Sequence, residues 1–284
     1  MRYAFLRFPE NKAKALTLSY DDGCPQDARF VELITKYGLK CTFNLNGDRF
    51  KKGTGLTTEQ VKELILANGH EVAVHGYYHR GEGYIRPIEG IVDILECRKE
   101  LEGKYDRIIR GMAYPDCGVT AWASNTSYER VKSYLTDLDI VYSRTLGEDN
   151  DRFALPTDWH QWVPTAHHNN PKIMDYIDKF VSMNPEHGYI ASRAPRLFYL
   201  WGHSFEFDNE GGWEHAEEIC KRLSGKSDIW YATNIEIYDY VQAYNSLVYN
   251  AEFTKIYNPT LFTIWLNIDG KAYEIKSGET INVD

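Results

Sequence analysis

The sequence predicts an α/β protein in which parallel strands are wrapped by helices and a small β unit closes the chain. Three observations predict it. Apolar, β-rich runs alternate with helical patterns seven times over. Polar residues collect where those runs end. Near the C-terminus the pattern changes to short strands around an Asp-Gly turn. The alternation alone leaves two architectures open, a barrel or an open doubly wound sheet.

Each element has its own signals. Lys14–Tyr20 reads as the first strand and Ala28–Tyr37 as a helix that Gly38 stops. Lys40–Leu45 is a second strand. Thr57 opens a helix with Gln60 three residues on, the spacing of a capping box, and Gly69 follows its end. Glu71–His75 is a third strand. Pro87 suits the first position of a helix, where its missing N–H costs nothing, and that helix runs towards Gly103. Strands at Arg107–Tyr114 and Ile140–Arg144 flank a helix at Ser127–Leu135. A long polar loop then reaches Asn170, followed by a helix at Pro171–Val181 and a strand at Arg196–Trp201. Glu214–Leu223 is a helix, Ile229–Ala232 a strand and Glu236–Leu247 a helix. Leu261–Asn267 and Lys271–Ile275 flank Asp269-Gly270, a strong hairpin signal. Residues 1–248 are therefore expected to form the α/β domain and 249–284 a small β appendage.

Composition sets limits. The 284 residues are 43% hydrophobic and 26% charged, enough apolar matter for a large core. Net charge is −9, so no basic surface for nucleic acid or anionic membrane is expected. Met1 to Glu10 hold no sustained apolar run of signal-peptide length, and no stretch approaches the length of a membrane-spanning helix. Five cysteines lie scattered without paired spacing, which fits a reduced, cytoplasmic protein. The 21 Tyr and 7 Trp suit sugar-binding surfaces, and suit a packed core at least as well. Oligomeric state leaves no trace in the sequence.

The unusual residues fall at strand ends. Asp21 and Asp22 end the first strand, His75 the third with His79 beyond it, Tyr114 the fourth and Arg144 the fifth; His203 follows the sixth. In parallel α/β folds such ends converge on one mouth. Two adjacent carboxylates repel each other, and a metal on one would resolve the conflict, leaving the other to accept a proton. Asp-Gly after a strand is also ordinary turn chemistry. Two histidines four apart can meet on one ion, and an Asp from a neighbouring strand end makes a three-ligand set with an open position, as in catalytic zinc sites. A histidine outside that set can act as a general acid, with Glu206 available to orient it.

Taken jointly, Leu18-Ser19-Tyr20-Asp21-Asp22, His75-Gly76-Tyr77-Tyr78-His79 and Leu200-Trp201-Gly202-His203 resemble three motifs of the polysaccharide deacetylases, the NodB-homology family known as carbohydrate esterase family 4. The likeness covers roughly residues 13–240. It implies a distorted (β/α)7 barrel with the β unit as appendage. It implies Asp21 as catalytic base, Asp22, His75 and His79 as metal ligands, and His203 as acid. The metal would be zinc or another divalent ion such as cobalt. The family's Arg-x-Pro-Tyr motif is replaced by residues 111–116, which lack the Arg that tethers the catalytic Asp. Arg144 is expected to reach the same place, with Arg110 as fallback. Tyr114 is expected at the oxyanion through a backbone N–H. Asp158-Trp159 matches a further Asp-Trp motif in letters, and Trp159, Trp162 and Trp201 are candidate walls of a sugar groove.

The expected function is metal-dependent removal of N-acetyl groups from an acetylated carbohydrate. The alternatives are an acetyl-ester or cyclic-amide hydrolase on the same fold, and a carbohydrate-binding protein that has lost its chemistry.

Overall fold

A computed structural model describes every residue except 48–51, 124 and 187–188. After a short strand β1 (Ala4–Arg7), the chain enters β2 (Lys14–Asp21), α1 (Asp27–Lys36) and β3 (Cys41–Leu45). A helical stretch, α2, begins at Thr58–Gln60 and widens to π geometry over Val61–Leu66. The Thr57–Gln60 capping box forms in both directions. There follow β4 (Glu71–Val74), α3 (Pro87–Tyr105) with Pro87 in its first turn, β5 (Gly111–Ala113), α4 (Tyr128–Asp137) and β6 (Tyr142–Arg144). Then come β7 (Ala166–His167), α5 (Ile173–Ser182), β8 (Arg196–Gly202), α6 (Gly212–Leu223), β9 (Ile229–Tyr231) and α7 (Asn234–Asn245).

Seven of these strands are paired in the order β6-β5-β4-β3-β2-β8-β7, all parallel. β3 pairs with Leu18–Asp21, and β9 with Lys14–Leu16 of the same strand. The long loop expected after β6 holds more structure than its polarity suggests. Its Trp162 bridges Arg144 of β6, and its Ala166 pairs with Leu200 of β8. This segment curls the sheet towards closure, and α5 follows β7 rather than β6. The fold is thus a distorted seven-stranded (β/α) barrel, with β9 tucked against the base of β2.

All eight residues of β2 are buried, in two sets set by the strand's period of two. Leu16, Leu18 and Tyr20 pack outwards with Phe30, Ile34 and Phe43 under the helices. Thr17, Ser19 and Asp21 lie on the other face, and the interior there is polar. Asn44 bonds Ser19 at 2.8 Å, and Thr17 bonds Asn234 at 2.8 Å. At the strands' amino ends, the start of α7 closes the floor. Its Asn234 and Ile235 amides donate to Thr42 Oγ1 (3.0 Å) and Glu71 Oε2 (2.9 Å).

The tail forms two small antiparallel sheets. β10 (Val248–Tyr249), β11 (Lys255–Tyr257) and β14 (Thr280–Asn282) make one. β12 (Ile264–Ile268) and β13 (Lys271–Ile275) make the other, with β1 as its third strand. Asp269 and Gly270 both adopt positive φ (51° and 94°), as the tight hairpin demands. One apolar cluster runs from Ala15, Tyr142, Trp162 and Tyr199 through Tyr240 to Ile256, Leu266 and Ile275, so the appendage packs as a continuation of the core. All five cysteines are free, and no helix among the described residues is long and apolar enough to cross a membrane.

Candidate active site

The carboxyl ends of β2, β4 and β6 and the turn after β8 bring the polar residues to one mouth. Asp21 is 2% exposed. Its Oδ2 is ion-paired with Arg144 Nη2, and its Oδ1 accepts from Asn44 Nδ2 at 2.8 Å. Burial pushes the Asp21 carboxyl up. The Arg144 guanidinium, then His75, His203 and the Asn44 bond, outweigh it and hold the group below its ordinary value. Arg144 is itself 1% exposed and stacks over the Trp201 ring at 4.4 Å. Arg110 points elsewhere, its Nη2 donating to both carboxylate oxygens of Asp239 on α7 (2.6 and 2.9 Å).

Asp22 turns away from the strand in the left-handed region (φ 81°), pinned by its amide to Asn44 O at 2.9 Å. For a residue with a Cβ this is a strained conformation of the kind retained at functional sites. His79 is also left-handed (φ 55°). Ligand atoms of Asp22, His75 and His79 lie within 4.8 Å of one another. Asp22 Oδ1 is 3.8 Å from His75 Nε2 and 3.6 Å from His79 Nε2. His75 Nδ1 faces the Ala113 carbonyl at 2.9 Å, which fixes its proton on Nδ1 and leaves the Nε2 lone pair towards Asp22. Burial lowers the His75 pKa, which keeps the ring neutral as a ligand must be. Two nitrogens and a carboxylate oxygen are a donor set that fits a catalytic divalent metal.

The His75–His79 loop is held from behind by Asp93, which accepts from the amides of Tyr77 (3.0 Å) and Tyr78 (2.9 Å). Gly76 follows from this. Its φ is 72°, and a Cβ there would stand 2.6 Å from Asp93 Oδ2.

His203 faces Asp21 from the far side, Nε2 to Oδ2 at 3.9 Å. Its Nδ1 is 3.6 Å from Glu206 Oε2. Burial works against its charged form, but Glu206, Asp21 and Asp22 prevail and raise its pKa. Glu206 stands 3.0 Å from His167 Nε2 and 3.2 Å from His168 Nε2. Burial opposes the Glu206 charge; its bonds to His167 and His203 prevail and hold the carboxyl far down.

Several expectations are corrected. The Tyr114 N–H donates to Arg144 O at 3.0 Å, so it is committed to the sheet and cannot serve an oxyanion in this conformation. Pro115 has no donor. The next amide belongs to Asp116, whose side chain lies 3.6 Å from His79 Nδ1. Trp162 is 1% exposed and packed among Tyr142, Trp159 and Tyr199, so it offers no face to a sugar. Trp159 packs against Tyr238 in the same cluster. Asp158 is held on α4 by Tyr128 (2.8 Å) and Lys132 (2.7 Å). Of the three tryptophans Trp201 alone borders the mouth, lining a cavity of about 230 Å³ with His167, Asn170 and Asp149.

Sequence reasoning missed Asn44, Asp93, Asp116 and His167. Asn44 had a readable signal, a polar residue on the interior face of a strand beside β2. Asp93 had none, because a buried Asp within a helical pattern reads as solvent-facing.

Residues 9–133 match the family model described as polysaccharide deacetylase. No curated protein matches the sequence. Among solved structures, the chain resembles a Mycobacterium smegmatis protein assigned to the polysaccharide deacetylases. That pair is 15% identical over 86% of this chain and 96% of the other, with a TM-score of 0.59. It also resembles an allantoinase, Puue, at 13% identity over 81% and 90% of the two chains and a TM-score of 0.57. At such identities the likeness speaks for the fold.

Proposed function

We propose that this chain, whose residues 9–133 match the polysaccharide deacetylase model, is a metal-dependent hydrolase of the NodB-homology, carbohydrate esterase family 4 type that removes the acetyl group of an N-acetylated sugar. One observation carries this reading: a buried, charge-paired Asp21 stands between a three-ligand cluster and His203.

Asp22, His75 and His79 would hold the metal, zinc or another divalent ion such as cobalt. When bound, the ion supplies Lewis-acid polarisation of the acetyl carbonyl and eases deprotonation of water near neutral pH. Asp21 is the general base. Arg144 and Asn44 fix its carboxylate and favour its charged form. His203 is the general acid, its charged form favoured by Glu206, and delivers its Nε2 proton to the departing amine. Trp201, backed by Arg144, provides an aromatic edge for the sugar.

The test is acetate release from N-acetylated chitooligosaccharides, with acetylxylan and allantoin in parallel. Activity on the first should vanish with a chelator and return with added zinc or cobalt. Hydrolysis confined to either of the others would overturn the substrate class. A protein that binds no divalent ion and hydrolyses nothing would be a binding protein.

A further inference from the structure

We propose that His167, His203 and Glu206 form a second, weaker divalent-metal site whose filling shuts down the acid. It lies beside the first centre and shares no ligand with it. One ring nitrogen of His167, one of His203 and a Glu206 oxygen all lie within 4.8 Å of one another. Two of the separations from Glu206 Oε2 are 3.0 Å, to His167, and 3.6 Å, to His203. Ligands bonded to zinc at about 2.0–2.1 Å in a tetrahedron stand about 3.4 Å apart, between those two values. Two imidazoles and a carboxylate are donors that zinc, cobalt and nickel accept.

The three side chains are each about a quarter exposed, 23–24%. His167 also lines the 230 Å³ cavity with Glu148 and Asp149, so an ion has an acidic way in. The elements that present the donors are fixed. His168, the neighbour of His167, is completely buried against Tyr20. It fills the space beside Gly202, where a Cβ would meet its Nδ1 at 1.9 Å. The two imidazoles therefore sit on β7 and on the turn after β8, and Glu206 closes the triangle from the following turn.

The second site should be the weaker. His75 in the first centre already has its proton on the far nitrogen, held by Ala113 O. His167 is set the opposite way, because the Asn169 N–H donates to its Nδ1 at 3.1 Å and puts the proton on Nε2. To ligate through Nε2 its proton must move to Nδ1 and the Asn169 bond must break. Losing such a supporting bond costs roughly 10–100-fold in metal affinity. Filling also binds His203 through Nδ1. A ring that ligates there holds no proton on that atom, so the imidazolium gives one proton to solvent and is no longer the acid.

The inhibitory consequence rests on the function proposed above; the ion itself does not. Untagged protein is dialysed against graded zinc, metal per chain is counted, and acetate release is followed on the same samples. The wild type should take up two ions, the second at roughly 10–100-fold higher free zinc, with activity falling as it binds. His167→Ala should keep the tight ion, lose the weak one and lose the zinc inhibition. His79→Ala should lose the tight ion and keep the weak one. A wild type that stops at one ion, or a His167→Ala protein that still binds two, overturns the proposal. Should His79→Ala bind both ions as the wild type does, the first centre is misassigned while the second stands.

Discussion

The two ends of the barrel each hold a carboxylic acid, and the two acids behave oppositely. At the mouth, Asp21 is paired with the Arg144 guanidinium and stays ionised, its pKa lowered against the pull of burial. At the floor, Glu71 is half-buried at the start of β4. It meets only neutral donors: Tyr142 OH at 2.6 Å, Thr42 Oγ1 at 2.7 Å and the Ile235 amide at 2.9 Å. Burial there wins over those bonds and pushes Glu71 up to about 7. At these two positions neutral donors leave a carboxyl raised, and a guanidinium lowers one. The mouth keeps a base ready to accept a proton; the floor keeps an acid that seals the strands.

Three substitutions break or sharpen that contrast. The largest effect is expected from Asp21→Asn, which removes the base while keeping the side chain's shape. Turnover on an N-acetylated sugar should fall on the order of 10²–10⁴-fold. Wild-type rates from a folded Asp21→Asn protein would remove Asp21 from the chemistry.

Arg144→Met comes next. It leaves the Asp21 charge buried without its cation, which costs about 3–5 kcal/mol in comparable pairs. The Asp21 carboxyl should rise and lose its readiness as a base. The double variant Asp21→Asn/Arg144→Met should recover much of the stability and none of the activity. Denaturant titration of the four proteins reads this directly. A single Arg144→Met as stable as the wild type would mean that the pair contributes little and that the comparison with Glu71 fails.

Much of this was legible in the sequence, for identifiable reasons. The strand–helix alternation is a matter of periodicity, and Lys271–Ile275 and the Thr57–Gln60 cap stand where local signals put them. Asp22, His75 and His79 could be grouped because strand ends converge in parallel folds. The pairing of Arg144 with Asp21 could be expected because β6 ends at the same mouth. What could not be read depends on three-dimensional neighbours. β7 is two residues long within a polar loop, and its pairing with β8 comes from closing the sheet rather than from its own pattern. Trp162 reads as a candidate groove wall, yet its loop folds into the barrel and buries it. The Tyr114 amide is taken by the Arg144 carbonyl, a bond between strands that no local pattern signals.

The smallest of the three effects, and the one that isolates the floor, belongs to Glu71→Gln. Glu71 has a folded pKa of about 7 against an ordinary 4.5. A raised pKa means that the folded state binds the proton more tightly than the unfolded chain. Its stabilising contribution is therefore complete below pH about 4.5 and is lost as pH rises to about 7, a change on the order of 3 kcal/mol. Glutamine imitates the protonated acid: it keeps one acceptor and offers a donor towards Tyr142. The wild type should thus lose stability across that window by an amount that Glu71→Gln does not, and above pH 7 the variant should be the more stable protein. Melting temperatures of the two from pH 4.5 to 8 make the measurement. Parallel curves would mean that Glu71 does not titrate in the window, and that neutral donors hold a charge here as well as Arg144 does at the mouth.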